Sequence, residues 1–434
     1  MQRNMTGTVS LATNKESPVR VPFFRPHLKE EEVEEVASTL RSGWLTTGPR
    51  AAAFEQEFAK AVNGRYAVAL NSCTAALHLA VEAIGLREGD AVLIPTMTFA
   101  ATAEIILYKK AVPVLVDCDP VTGNMDLEDA ERKIAQLNKK TLPYLYGRDL
   151  RPVGIIPVHV GGYMLDVDEV KQFASKHDLW VIEDAAHAFP AAWRPNSSSP
   201  WKYCGDNTSS VTCYSFYANK TITTGEGGMA VTNDEELADK IRLMSLHGLS
   251  HDAWGRYTGG GKWDYQIVRA GYKYNLTDIA AAIGLKQLDR AEEMRKQRED
   301  VARYFLSELG SIEEIGLPPE NENRIHSWHL FPIRLKLPML KVDRNEFIDD
   351  LNKNNVGTSV HWRPLHKHPL YRERLGWSDN HCPSASQLWK EIISLPIFSA
   401  MNEIEMDHVV QTVKDLCFKH SKSSVRSLAV TSVA

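Results

Sequence analysis

Long apolar runs, paired-cysteine motifs and stretches of basic residues are all missing from this 434-residue chain. With a net charge of -5, nothing electrostatic points to nucleic acid or to an anionic membrane surface as partner. The six cysteines (Cys73, Cys118, Cys204, Cys213, Cys382, Cys417) are scattered and lack CxxC spacing. They read as reduced core thiols of a cytoplasmic protein, not as disulfides or a zinc site. The first twenty residues, polar with Lys15 and Arg20, hold no apolar core of signal-peptide length, and no apolar stretch is long enough to span a bilayer. Neither secretion nor a membrane span is expected, and no internal repeat is visible.

What is present is enough apolar residue, 43% of the chain, for one large domain and one smaller one. The expected division is an N-terminal extension over 1–21, a large domain over 22–290, a small C-terminal domain over 291–420 and a flexible tail over 421–434. Helical spacing covers Glu30–Leu40, Ala51–Val62 and Ala75–Ile84, begins again near Ala100, and recurs at Asp166–Lys176 and Asp234–Leu246. Between these lie strand candidates Tyr66–Leu70, Ala91–Pro95, Val112–Val116, Gly154–Val160, Leu179–Glu183, Ser210–Phe216 and Gly228–Thr232. The alternation predicts an α/β fold, a mostly parallel sheet covered by helices, with function at the carboxyl ends of the strands. A long helix over Leu276–Leu309 is expected to bridge to an α+β segment. That segment has strands at His329–Leu335 and Ser359–Trp362 and helices at Asn345–Asn352, Ala385–Ile393 and Glu403–Cys417. The loops Pro195–Asp206 and Tyr257–Lys262 are expected to be mobile.

Chemistry concentrates in two runs. Ser215-Phe216-Tyr217-Ala218-Asn219-Lys220 leads into Thr224-Gly225-Glu226-Gly227-Gly228, and Val181-Ile182-Glu183-Asp184-Ala185-Ala186-His187 ends an apolar strand in two acids. A lysine beside a strand-end aspartate is the pair pyridoxal phosphate needs: an amine for its aldehyde and a carboxylate to keep its ring nitrogen protonated. Taken alone, Asp184 reads more readily as a turn or cap residue, and Lys220 still more readily as a solvated surface charge. Together on short apolar segments they are costly unless used. Ser72-Cys73-Thr74, opening a helix, offers donors for a phosphate or a plain N-cap. Phe99 offers a ring to stack on the cofactor or an ordinary core side chain.

In their order, Ser42-Gly43-Trp44-Leu45-Thr46-Thr47-Gly48-Pro49, Asn71-Ser72-Cys73-Thr74-Ala75-Ala76-Leu77, Pro157-Val158-His159, Glu183-Asp184-Ala185-Ala186-His187, Ser215-Phe216, Lys220, Thr224-Gly225-Glu226-Gly227-Gly228, His247-Gly248 and Gly271-Tyr272-Lys273-Tyr274-Asn275-Leu276-Thr277-Asp278 resemble the nucleotide-sugar aminotransferase (DegT/StrS) family over residues 22–417. The resemblance implies the aspartate-aminotransferase type fold (fold type I), pyridoxal 5'-phosphate as cofactor and a homodimer with shared active sites. It implies Lys220 as Schiff-base former and proton shuttle, Asp184 at the ring nitrogen, His187 near the ring hydroxyl, and Phe99 stacking. Cys73, Thr74 and Ser215 would hold the phosphate, and Asn275 would reach it across the dimer. His159 would pack beneath the cofactor. Lysine at 220, where related sugar dehydratases carry histidine, favours transamination. The substrates implied are an amino-acid donor, L-glutamate, and a nucleotide-linked keto-sugar.

Thr47 in its loop, and His361-Trp362-Arg363-Pro364-Leu365-His366, look most similar to the branch that aminates C4, which would put Thr47, His361, Arg363 and His366 at the substrate. An ordinary hairpin with solvated histidines is the plain alternative. No metal is expected there, because carboxylate or cysteine ligands at the usual spacing are lacking. Pro190 and the added residues around Leu142–Arg151 and Pro195–Asp206 depart from the family pattern, which leaves the sugar open, a C3 keto-sugar or keto-cyclitol included. A regulatory protein without turnover is a separate alternative, against which Lys220, Asp184 and the phosphate cup all being present argue.

Overall fold

The computed structural model describes residues 19–142, 149–206, 209–249 and 266–423. Strands Tyr66–Leu70 (β1), Asp90–Pro95 (β2), Val112–Val116 (β3), Arg151–Ile155 (β4), Trp180–Asp184 (β5), Ala192–Trp193 (β6), Lys202–Tyr203 (β7), Val211–Ser215 (β8) and Gly228–Thr232 (β9) follow one another along the chain. Seven of them form the main sheet in the order β1-β9-β8-β5-β4-β2-β3. β9 pairs antiparallel with both neighbours while the other pairings are parallel. β2 and β3 are buried along their whole length, which is why they read as unbroken apolar runs without alternation.

Helices Cys73–Ile84, Ala101–Tyr108, Leu127–Asn138 and Val167–Lys176 connect the parallel strands. Their starts are written in side chains: Ser72 accepts from Ala75 N–H, Asp126 from Glu128 N–H, and Asp166 from Asp168 and Glu169 N–H. The Leu127–Asn138 helix has no counterpart in the sequence reading.

Strands Ile315–Gly316 (β10), Arg324–Ile325 (β11), Phe331–Leu335 (β12) and Ile392–Leu395 (β13) complete the set. β10, β12 and β13 make an antiparallel sheet. Together with Phe305, Phe347, Val409 and Val413 from the flanking helices, it encloses a second core. Three expectations need correcting here. The helix over Leu276–Leu309 is two helices, Asp278–Asp289 and Ala291–Leu309, broken at Arg290, whose backbone leaves the helical region. The helix ending at Ile393 stops at Glu391, and Ile392–Leu395 becomes β13, because its apolar residues are needed between sheet and helix. Ser359–Trp362 forms no strand beyond a single bridge from Ser359 to Ser394.

Some packing crosses the expected boundaries at 290 and 21. Leu365, Tyr371, Leu375 and Leu388 pack on the main-sheet core. Val21 lies in the second core and is held by hydrogen bonds to Asn355 and Gly357. Part of Pro195–Asp206 is strand: β7 pairs with β6, which pairs with β11. Tyr257–Lys262 lies outside the described residues. No helix among the described residues is long and apolar enough to cross a membrane.

Candidate active site

At the carboxyl ends of β5 and β8 lies a cavity of ≈ 470 Å³. Its lining includes Cys73, Thr74, Phe99, Asp184, His187, Ser215, Lys220 and His361, eight of the twelve residues singled out from sequence. β5 delivers Asp184 to the floor. There its carboxylate accepts from Thr102 Oγ1 at 2.8 Å and from Ala186 N–H at 3.1 Å. Burial pushes this carboxyl above its ordinary range, and those two donors together with the nearby Lys220 pull it back.

Lys220 sits on the loop between β8 and β9, and its Nζ lies 3.3 Å from His329 Nε2. Burial lowers its pKa to about 8, with Arg298 adding to the shift while Cys73 and Asp184 oppose it. An amine with that basicity is a far better nucleophile near neutral pH than a surface lysine. The Cys73 thiol is pushed well above its usual range by burial and by Asp184, so it stays protonated and inert.

His187 receives the Gly161 N–H on Nδ1 at 3.2 Å, which leaves its proton on Nε2. Burial, then Lys220 and His361, hold it well below the ordinary histidine range. Its ring stacks on Trp362, centroids 5.1 Å apart. His361 receives or donates a hydrogen bond at Nδ1 with Ser394 Oγ, 2.9 Å away, and packs on Phe23.

The phosphate end has its own construction. The Cys73–Ile84 helix points its first turn at the cavity, with Ser72 as N-cap. β9 runs so close to that turn that a Cβ on Gly228 would stand 2.4 Å from the Ser72 carbonyl carbon and 2.5 Å from Cys73 N. Only a glycine lets the strand pass there.

Four sequence-derived residues lie outside the cavity lining. Thr47 and Asn275 meet each other, Asn275 Nδ2 donating to Thr47 Oγ1 at 2.6 Å. His366 is fully buried, with its two ring nitrogens 2.8 Å from Thr96 Oγ1 and Ser386 Oγ, so it ties the segment to β2 and to the Pro383–Glu391 helix instead of meeting substrate. Arg363 donates to the Lys367 carbonyl and lies over the Trp389 ring. His159 is likewise away from the cavity. It receives Leu165 N–H on Nδ1 and so donates from Nε2 to Glu183, 2.8 Å away. Both ring nitrogens of His159 are thus engaged within a group where His159, Glu183 and Cys204 lie close together.

Sequence reasoning missed Thr102, Trp362 as a wall, and His329. The signal for His329 was a histidine at the start of a buried strand run, where an imidazole is costly unless something uses it.

Comparison with known proteins agrees with this geometry. Residues 26–414 match the model of the DegT/DnrJ/EryC1/StrS aminotransferase family. The chain is 42% identical over 396 residues to an uncharacterized protein of Methanocaldococcus jannaschii, covering 91% of this chain and 97% of that one. It is 39% identical to the spore coat polysaccharide biosynthesis protein SpsC of Bacillus subtilis, covering 91% and 97%. Among solved structures, the putative sugar aminotransferase Spr1654 of Streptococcus pneumoniae, in its PMP-form, superposes with a TM-score of 0.82 at 30% identity over 92% of this chain and 99% of that one. The fold is thus that of the fold-type-I, pyridoxal phosphate-dependent transferases, and the chain belongs to the DegT/DnrJ/EryC1/StrS aminotransferase family.

Proposed function

We propose that this aminotransferase takes an amino group from an amino acid, L-glutamate, and passes it to the C4 ketone of a nucleotide-linked sugar. The observation that carries the reading is the convergence of Lys220 and Asp184 on one cavity. The residues present fit pyridoxal 5'-phosphate: a buried carboxylate beside a depressed-pKa lysine, and a helix start approached by Gly228. When bound, that group serves as electron sink and amino carrier. Asp184 would hold the ring-nitrogen proton, Lys220 would bond the aldehyde and move protons, and His187 would donate from Nε2 to the ring hydroxyl. Thr74, Ser215 and the amide of Cys73 would hold the phosphate, and Phe99 would stack on the ring.

Support for the sugar comes from the relatives' names, a polysaccharide biosynthesis protein and a sugar aminotransferase. His361 and Trp362 form the wall available to it. A homodimer with shared sites is part of the same reading. Phe99 is 65% and Tyr217 45% exposed at the cavity although both are large rings, and Asn275 and Thr47 face elsewhere in their own chain.

The test is transfer from ¹⁵N-labelled L-glutamate to a panel of nucleotide-linked 4-keto and 3-keto sugars, with product regiochemistry read by NMR. Label on C4 is expected. Label on C3, or no transfer from glutamate to any member, overturns the reading.

A further inference from the structure

We infer that His329 is the positioning residue of Lys220, holding its amine at the cavity, and that Arg298 in turn holds His329. The inference rests on the reading of Lys220 as the reactive lysine.

His329 Nε2 is 3.3 Å from Lys220 Nζ, and its other ring nitrogen, Nδ1, is buried without a partner. A buried polar atom left unpaired costs stability, so the orientation of this ring serves the Nε2 side. The segment that carries it is pinned on all sides. Ser327 Oγ donates to the His187 carbonyl at 2.6 Å, Leu330 N–H to the Gly161 carbonyl, and Trp328 N–H to His326 Nδ1. Trp328 itself has φ of 48°, a left-handed backbone that a bulky side chain rarely takes. The His326 ring stacks on it at 4.1 Å with only 5° between planes. That turn is what aims residue 329 at the lysine.

Behind the turn is Arg298, buried at 3% exposure. Its Nη1 donates to the Trp328 carbonyl at 3.3 Å and to the Ile397 carbonyl at 3.0 Å, and no carboxylate among the described residues bonds to it. A buried guanidinium without an anion is expensive. Here it serves two carbonyls, one of them that of the residue preceding His329, and it adds a fixed positive charge that disfavours a proton on Lys220 and on His329.

The groups that face Lys220 are Asp184 and Cys73 from β5 and the helix start, Arg298 and His329 from the small-domain side, and His187 and His361 across the cavity. Burial, Lys220, His187, Arg298 and His361 all keep His329 neutral. Towards the ammonium, which can only donate, a neutral His329 must accept on Nε2 and carry its proton on Nδ1, a charge-assisted bond stronger than any the neutral amine makes. Losing that acceptor therefore disfavours the protonated lysine and lowers the pH at which it becomes reactive.

The experiment is pulse acetylation of the full-length chain, freed of cofactor, with acetic anhydride across pH 6–10, reading the Lys220 peptide by mass. Wild type is expected to show a midpoint near pH 8. His329→Leu should lower the midpoint and raise Lys220 labelling at pH 7 by roughly three- to five-fold, the response to a shift of about half to one pH unit. His329→Gln, which can still offer an acceptor, should stay near wild type. Should the leucine variant fail to fold, His329→Asn, whose amide is too short to reach Nζ, reads the same shift. A wild-type profile in the variants lacking the acceptor, or equal shifts in the Gln and Leu variants, overturns the inference. Cofactor trapping on another lysine would instead overturn the reading of Lys220 while leaving this contact in place.

Discussion

Each residue around the cavity has its reactivity set by what surrounds it, and Asp184 shows the balance most plainly. Burial pushes its carboxyl above its ordinary range, and the Thr102 hydroxyl and Ala186 N–H favour the charge. A carboxylate held so would supply to the cofactor's ring nitrogen a charge no amide can. Asp184→Asn should keep the fold and reduce turnover by about 10²-fold or more, the usual loss for a preorganised electrostatic partner. Steady-state kinetics on the folded variant checks this, and wild-type turnover would remove Asp184 from the chemistry. Of the cavity-lining residues, Lys220, Asp184 and Phe99 were candidates from the residues themselves, strand ends and the glycine run marking where side chains leave the sheet, whereas His187 and Ser215 followed from the family resemblance. His329 and Thr102 were not legible. Their partners lie 109 and 82 residues away along the chain, a separation that spacing cannot bridge. His366 was misplaced for the same reason: a histidine in a polar loop reads as exposed, and only Thr96 and Ser386, brought in from other elements, turn it into a buried tie.

Secondary-structure elements were readable where one residue type decides them. Strands buried on both faces appear as apolar runs, and β1, β3 and β9 match their expected bounds. Boundaries failed where a tertiary demand outweighed local pattern, as at Ile392, where the helix gives way to a strand that completes the β12–β13 pairing. The Leu276-Thr277-Asp278 motif is an instance of an element held from afar. Asp278 is fully buried, and its carboxylate accepts from Gly48 N–H at 2.7 Å, Ala51 N–H at 3.0 Å and Arg50 N–H at 3.1 Å. It therefore caps the Pro49–Ala61 helix, whose own N-cap is a glycine without a side chain to offer. Asp278→Ala leaves those donors unpaired and should cost about 2 kcal/mol. Urea unfolding would show a lower midpoint with unchanged slope; an unchanged midpoint would mean that water replaces the cap freely.

For the whole molecule, buried neutral histidines couple stability to acid. Burial lowers His361 to about 4, His366 to about 4 and His326 to about 3 from an ordinary 6.5. Between pH 6.5 and 4 the unfolded chain binds protons these rings refuse, so the unfolded state carries more protons and stability falls as pH falls. Lys220 acts with the same sign in a higher window: from pH 8 to 10.5 the unfolded lysine is still protonated, so its contribution rises with pH there. Denaturant midpoints should accordingly drop between pH 7 and pH 5, and a flat profile would mean that the rings are accessible to protons in the folded chain. The large-scale plan, a mostly parallel sheet with function at its carboxyl edge, followed from alternation of strand and helix. The packing of Val21 and of residues 365–392 across the expected domain edges did not, because burial against a distant core leaves no local pattern.

The central claim is that Lys220 is the residue that bonds the cofactor. The direct measurement is borohydride reduction of the purified, cofactor-loaded protein followed by peptide mass mapping. A reduced cofactor increment on the peptide containing Lys220, abolished in Lys220→Ala, is the predicted result; an increment on a different lysine, or none on protein shown to hold the cofactor, would contradict it.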